Sequence, residues 1–223
     1  MRVEWHGQSA FAFEAEEGTV FVDPFGEMTG LSERGIEWSY PEIGVDGVDL
    51  LLVTHEHRDH NAVEAVGGEP HTLRATAGTH ETPLGTVVGV ASEHDAAAGT
   101  ERGPNTIFVF SLGGVRVAHF GDFGQAALRP EQKEAIGEVD LAIVPVGGGP
   151  TIGGAAAAEI ALSLGARWVV PMHYRTHRIS FLEDEEEFAA AFAEVMRFER
   201  PKFDTDELDQ AETGAVAVIP VAP

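Results

Sequence analysis

The run Ser9–Asp23, SAFAFEAEEGTVFVD, alternates apolar and polar positions on either side of Glu16-Glu17-Gly18. Period-two alternation broken by a short polar, glycine-containing step predicts a β-hairpin. Asp49–His55 (DLLLVTH) is instead apolar almost throughout, the pattern of a strand covered on both faces. Leu141–Val146 (LAIVPV) and Trp168–Met172 (WVVPM) read the same way. Further strands are predicted over Thr86–Ala91, Thr106–Leu112 and Val115–His119, the last two joined by a Gly113-Gly114 turn. A closing strand is predicted within TGAVAVIPV near the C-terminus. Helices are predicted over Glu131–Ile136, Ala155–Leu164 and Glu183–Arg197. The last is supported by acidic residues in its first turns and by a core stripe of Phe188, Phe192 and Val195. Phe25–Gly47 has mixed composition and reads as a loop, and Asp204–Glu212 reads as a solvated acidic connection. No linker or repeat interrupts the pattern, so one α/β domain spanning residues 1–223 is expected.

Composition narrows the class. The chain carries 37 acidic against 14 Lys and Arg residues, a formal net charge of -23, with no basic cluster to offset it. Such a field repels phosphate backbones, so no nucleic-acid partner is expected. There are no cysteines, which excludes disulfides, thiolate metal sites and a Cys nucleophile. The N-terminal MRVEWHGQSAFAFE alternates too quickly for a signal peptide, and no apolar run approaches membrane-spanning length. A cytoplasmic protein with no membrane partner is the default expectation.

The chemistry concentrates in Thr54–Asn61, THEHRDHN, which places His55, His57, Asp59 and His60 within six positions at the end of an apolar strand. Neutral imidazole is the commonest protein metal ligand. In extended chain, residues i and i+2 project to the same side, so His55 and His57 reach one ion. Asp59 and His60 are adjacent and diverge unless the backbone turns, and the simplest arrangement gives them to a second ion nearby. Three more candidates end later apolar runs: His94 in VASEHDAA, Asp122 in VAHFGDFG and His173 in VVPMHYRTH. Rigid strand ends can aim such side chains into a shared site.

In this order, the set His55-x-His57-x-Asp59-His60, His94, Asp122 and His173 resembles the metallo-β-lactamase superfamily. HGQS, VDPF, ERGPNTIFVF, AHFGD, IVPVGGG and VPMHY resemble its metal-dependent hydrolases near the ascorbate-6-phosphate lactonases. The resemblance implies a four-layer αββα sandwich with two mixed β-sheets and a site at one edge between them. It assigns His55, His57 and His94 to one metal and Asp59, His60 and His173 to a second, with Asp122 bridging. Gly7-Gln8-Ser9 stands where relatives commonly carry Gly-His-Ser, so a role for that histidine does not transfer.

The implied activity is hydrolysis of a small ester, lactone or phosphodiester by a hydroxide shared between two divalent ions. Asp59 orients that nucleophile or takes its proton, and Asp59 and Asp122 are the expected catalytic carboxylates. All ligands are nitrogen or oxygen donors; zinc is expected first, with manganese and iron open. Three alternatives were weighed: a metal-dependent binding or sensing protein without turnover, a nuclease-type phosphodiesterase, and a redox di-iron protein. The family pattern of the last has Glu where this chain has His57. The expected partner is a small molecule, with Tyr174, Arg175 and Asn105 as candidate substrate contacts. His119 is expected to be a hydrogen-bonded core histidine. Asp23 is expected either behind a metal histidine or as a turn former. The glycines of Pro145–Gly154 are expected to let the chain turn tightly beside the metals.

Overall fold

The computed structural model describes residues 1–208 and 214–223. The acidic connection expected over Asp204–Glu212 therefore lies partly outside the described residues, as does the first residue of TGAVAVIPV. The described chain folds into two mixed sheets. The first contains β1 (Arg2–Gly7), β2 (Ala10–Ala15), β3 (Gly18–Val22), β4 (Leu50–Val53), β5 (His71–Arg74) and β13 (Lys202–Asp204). Its order is β13-β1-β2-β3-β4-β5, antiparallel up to β3 and parallel from β3 to β5. The second contains β6 (Gly78–Thr82), β7 (Gly85–Glu93), β8 (Pro104–Leu112), β9 (Val115–His119), β10 (Leu141–Pro145), β11 (Trp168–Met172), β12 (Glu194–Phe198) and β14 (Val216–Pro220). Its order is β12-β14-β11-β10-β9-β8-β7-β6, with β9, β10, β11, β14 and β12 parallel.

The apolar runs become the strands with no exposed position: every residue of β4, β10, β11 and β14 is buried. The two sheets meet through aromatic side chains. Phe13 of β2 stands edge-on to Phe110 of β8 with ring centres 5.3 Å apart, and Phe11 meets His119 of β9 at 5.9 Å. Helical cover is thin. α1 (Pro130–Ile136) packs against β7, and α2 (Gly154–Ser163) packs against β10 and α3 (Glu186–Ala189). No helix among the described residues is long and apolar enough to cross a membrane.

The long helix expected over Glu183–Arg197 does not form. Only α3 is helical, and it buries Phe188 against Gly154, where an added Cβ would lie 2.4 Å from the Phe188 backbone nitrogen. Phe188 and Phe192 are buried as the stripe requires, but Val195 is 39% exposed. It lies in β12, which pairs in parallel with β14 from Glu194 to Phe198 as an edge strand. A helical stripe of two aromatics needs only one turn, after which sheet pairing takes the remaining chain.

Truncating the inter-sheet aromatic contact tests this packing. Phe13→Ala is expected to lower the unfolding free energy by about 3–5 kcal/mol, the usual range for a fully buried Phe, read from urea denaturation at unchanged m-value. A loss below about 1 kcal/mol would mean that the sheets are not held together at this point.

Candidate metal centre

The strands end where the candidate ligands begin. β4 of the first sheet delivers Thr54 to His60, while His94, Asp122 and His173 leave the ends of β7, β9 and β11 in the second. The seven side chains converge between the two sheets. One ligand atom each from His55, His57 and His94, and one each from Asp59, His60, Asp122 and His173, form two clusters whose members all lie within 4.8 Å of one another. In the first, His55 Nε2 lies 3.1 Å from His57 Nδ1. In the second, His60 Nε2 lies 3.6 Å from Asp59 Oδ2, and His173 Nε2 lies 3.8 Å from the same oxygen.

Asp122 joins the two. Its Oδ2 is 3.0 Å from His94 Nε2, 3.3 Å from His60 Nε2 and 3.4 Å from His173 Nε2. Tetrahedral ligands at metal–nitrogen distances of about 2.0–2.1 Å stand about 3.3 Å apart, so this spacing suits a divalent ion. Hydrogen-bond chemistry agrees. His60 is fully buried and its Nδ1 is engaged by Asp23, yet its Nε2 has no hydrogen-bond partner. A buried imidazole nitrogen without a hydrogen-bond partner, facing two carboxylates, fits a divalent cation.

Charge divides the clusters. Burial, then the neighbouring His60, pushes His55 down to about 2, and burial followed by His94 lowers His57, so both imidazoles stay neutral. Burial opposes the charged form of His60 and His173 as well, but Asp122 and its fellow carboxylates outweigh it and raise both. Asp122 is held below the ordinary carboxylate range because His173 and His60 outweigh its own burial.

The supporting residues are as specific as the ligands. Asp23, fully buried and left-handed at φ 51°, accepts from the Thr54 amide (2.7 Å) and hydroxyl (2.7 Å) and faces His60 Nδ1 at 2.9 Å. It thus serves as both the turn and the partner of a site histidine. Thr54 Oγ1 also contacts His55 Nδ1 at 3.1 Å. Ser9 donates to the other Asp122 oxygen at 3.3 Å. His173 is left-handed at φ 50°, and its amide donates to the Gln8 carbonyl. Gly147 passes so close that a Cβ there would lie 2.2 Å from the His173 carbonyl oxygen, which explains one of the glycines after β10. His119 is buried against the Ser9 carbonyl at 2.9 Å and the Gly121 amide at 3.2 Å, the expected core histidine.

A cleft of about 510 Å³ opens over the site, lined by His57, Asp59, His94, Asp122 and His173. The three candidate substrate contacts lie elsewhere. Asn105 is buried behind the cleft, where its Oδ1 accepts from the Asp122 amide and its Nδ2 donates to Ser92 Oγ and the Phe120 carbonyl. Tyr174 is buried and stacks on Trp5 at 5.3 Å, and it borders a separate groove together with Arg175 and His177. Arg175 is paired with Asp184. Position next to a ligand misled because successive side chains leave the backbone in different directions. The cleft wall comes instead from Met28, Leu31, Ile36, Trp38 and Phe181, with Gln8 and Arg102. The signal for the wall was the spaced apolar residues of Phe25–Gly47 in an otherwise polar loop.

A sequence profile described as a beta-lactamase superfamily domain matches residues 2–173. The chain is 32% identical to the UPF0173 metal-dependent hydrolase of Methanosphaera stadtmanae, covering 79% of this chain and 85% of that protein. It is 28% identical to the UPF0173 metal-dependent hydrolase TK0141 of Thermococcus kodakarensis, covering 84% and 90%. A Thermotoga maritima crystal structure assigned to the zinc-dependent hydrolases of the metallo-beta-lactamase superfamily superposes with a TM-score of 0.77 at 30% identity. It covers 99% of this chain and 98% of that one.

Two measurements probe the centre. Because His60 and His173 are raised, protons compete with metal for the second cluster, so binding is expected to release protons and apparent affinity to rise as the pH climbs above the ordinary imidazole range. On acidification the metal of this cluster leaves before that of the His55, His57 and His94 cluster; calorimetry in buffers of different ionisation enthalpy would detect a pH-independent affinity, the contrary result. Asp23→Asn keeps the shape but weakens the partner of His60, and metal affinity measured against a chelating dye is expected to fall about 10–100-fold. An unchanged affinity would reduce Asp23 to a turn residue.

Proposed function

This chain belongs to the beta-lactamase superfamily, and on that premise we propose that it is a dinuclear metal-dependent hydrolase of a small ester, lactone or phosphodiester. The observation that supports the reading is the Asp122 Oδ2 atom, which stands 3.0–3.4 Å from histidines of both clusters, so that one carboxylate would serve both. His55, His57 and His94 would hold one ion, and Asp59, His60 and His173 the other, with zinc favoured by the nitrogen-rich set. Divalent ions there supply a Lewis acid for the carbonyl or phosphoryl oxygen and lower the pKa of water to about 7.

The protein's own groups do the rest. Asp59 is partly exposed to the cleft. Burial works against its charge, yet His60 and His173 hold its pKa below the ordinary carboxylate range. It is ionised at neutral pH and accepts a hydrogen bond from attacking water, orienting it more than storing its proton. Ser9 fixes the outer oxygen of Asp122, and Asp23 fixes the ring of His60, so the ligand atoms are preorganised before substrate arrives. A long polynucleotide is disfavoured, because Arg102 is the sole Lys or Arg among the described lining residues.

Removal of metal with a chelator is expected to abolish hydrolysis across a panel of lactones, esters, amides and phosphodiesters, and zinc or manganese to restore it. His57→Ala or Asp122→Ala is expected to cut kcat/KM on any active substrate by at least about a thousandfold, while circular dichroism stays native. Near-normal turnover in either variant would sink the mechanism; a well-formed metal site inert across the panel would favour a binding protein.

A further inference from the structure

Five apolar residues and one guanidinium make up most of the cleft outside the metal clusters. Met28, Leu31, Ile36 and Trp38 come from the loop after β3, and Phe181 comes from the segment after β11. All five remain partly or largely exposed, Phe181 by 49%. This wall is built rather than accidental. Trp38 is held edge-on by Phe25 at 5.1 Å and by Tyr40 at 5.3 Å, and it bridges to Ile179 across the two loops. The Ser39 amide donates to the Arg178 carbonyl, and Tyr40 meets Thr176 Oγ1 at 3.2 Å. An apolar surface is thus fixed beside a polar centre and left partly open to the cleft.

Arg102 stands on a third loop, which leaves His94. Asp95 pins that loop: its Oδ1 accepts from the Ala97 and Gly99 amides at 2.8 and 2.9 Å, and its Oδ2 from the Glu101 and Arg102 amides at 3.1 and 2.8 Å. The backbone of Arg102 is therefore fixed while its exposed side chain has no acidic partner among the described residues. In a chain with 37 acidic residues against 14 Lys and Arg, that is a conspicuous vacancy. Seven other arginines are engaged in ion pairs.

We propose that the cleft takes an amphipathic anion: a substrate whose apolar chain or ring lies on the Trp38–Phe181 wall and whose carboxylate or phosphate pairs with Arg102. This rests on the hydrolase reading and specifies its substrate class. For an ester, water is the sole co-reactant: the acyl–oxygen bond breaks, hydroxyl joins the acyl carbon and a proton joins the departing alkoxide oxygen. A guanidinium presents paired donors that match a planar carboxylate or a phosphate, which gives orientation as well as charge. The apolar wall supplies affinity in proportion to the hydrocarbon it covers.

The test has a binding arm and a turnover arm. Trp38 lies in the cleft, whereas Trp5 and Trp168 are buried, so quenching that disappears in Trp38→Phe reports ligand in the cleft. With metal-loaded protein, 4-phenylbutyrate is expected to bind about tenfold or more tightly than 4-phenylbutyramide, and Arg102→Ala is expected to remove that preference. Arg102→Lys is expected to restore part of it. Phenyl phosphate beside phenylbutyrate tells which anion is preferred. Equal binding of phenylbutyrate by Arg102→Ala and the unaltered protein would place the carboxylate on the metals and overturn the proposal.

In turnover, the ratio of kcat/KM for a carboxylate-bearing ester to that for its neutral isostere is expected to fall about tenfold or more in Arg102→Ala. Each added methylene of the acyl chain is expected to raise kcat/KM about fourfold until the wall is covered, and less steeply in Phe181→Ala. A ratio unchanged by Arg102→Ala, or a flat chain-length series, would overturn it. If the binding preferences appear but nothing is hydrolysed, the amphipathic-anion site stands and the hydrolase reading falls.

Discussion

The fold is organised around the cost of burying charge. Five imidazoles and two carboxylates meet between two sheets, with His55, His60, His94, Asp122 and His173 all nearly inaccessible. Taking an ion from water into a protein interior costs several kcal/mol after relaxation. Part of the compensation is mutual: Asp122 stands among three imidazoles, and two of those imidazoles are pushed toward the protonated state by it. That arrangement favours protonation in one cluster and leaves His55 and His57 of the other as neutral rings with centres 4.6 Å apart. Divalent cations at both clusters would resolve both at once, because they would take the lone pairs of the neutral rings and displace the protons from the charged ones.

Such a concentration of polar groups requires supports that do not yield, and they are drawn from both sheets. The chain accepts strained backbone to provide them. Gln8, Asp23 and His173 are left-handed without being glycine, and each touches the centre: through a carbonyl, a carboxylate and a ligand ring respectively. Residues in this region persist only where surrounding contacts over-determine them. Here those contacts are the hydrogen bonds that link Gln8 to His173 and Asp23 to Thr54. Asn105 belongs to the same shell, since it holds the Asp122 amide from behind.

What the sequence made legible follows from locality. Strands with a continuous apolar run and ligands placed directly after them can be read one segment at a time, and Val115–His119 and Trp168–Met172 match their strands end to end. The edge strands β5, β6, β12 and β13 escaped detection because a strand paired on one side keeps a polar face, and HTLR or GTHET carries no buried stripe. The helix expected over Glu183–Arg197 failed for a related reason. Its acidic start and two phenylalanines were real helix signals, but pairing with β14 is a long-range contact that no local window contains. Tyr174 and Arg175 follow a ligand yet border another groove, since distance along the chain says nothing of the direction in which a side chain leaves it, and Asn105 turns inward to hold the Asp122 amide.

This division between strand ends and loops separates two properties of the centre. The ligands follow the ends of β4, β7, β9 and β11, which pack in the two sheets, so the metal set is tied to the stability of the fold. The cleft wall is carried by three loops: the first two are fastened to each other, and the third is held by Asp95 and by the His94 amide, which donates to the Gly103 carbonyl. Substitutions at Trp38, Phe181 or Arg102 alter partly exposed surface and leave the packing of β4, β7, β9 and β11 untouched. Substrate preference can therefore change while the metal chemistry is retained. The same separation makes the ligands readable from a motif, whereas the wall becomes visible only after the loops have closed over it.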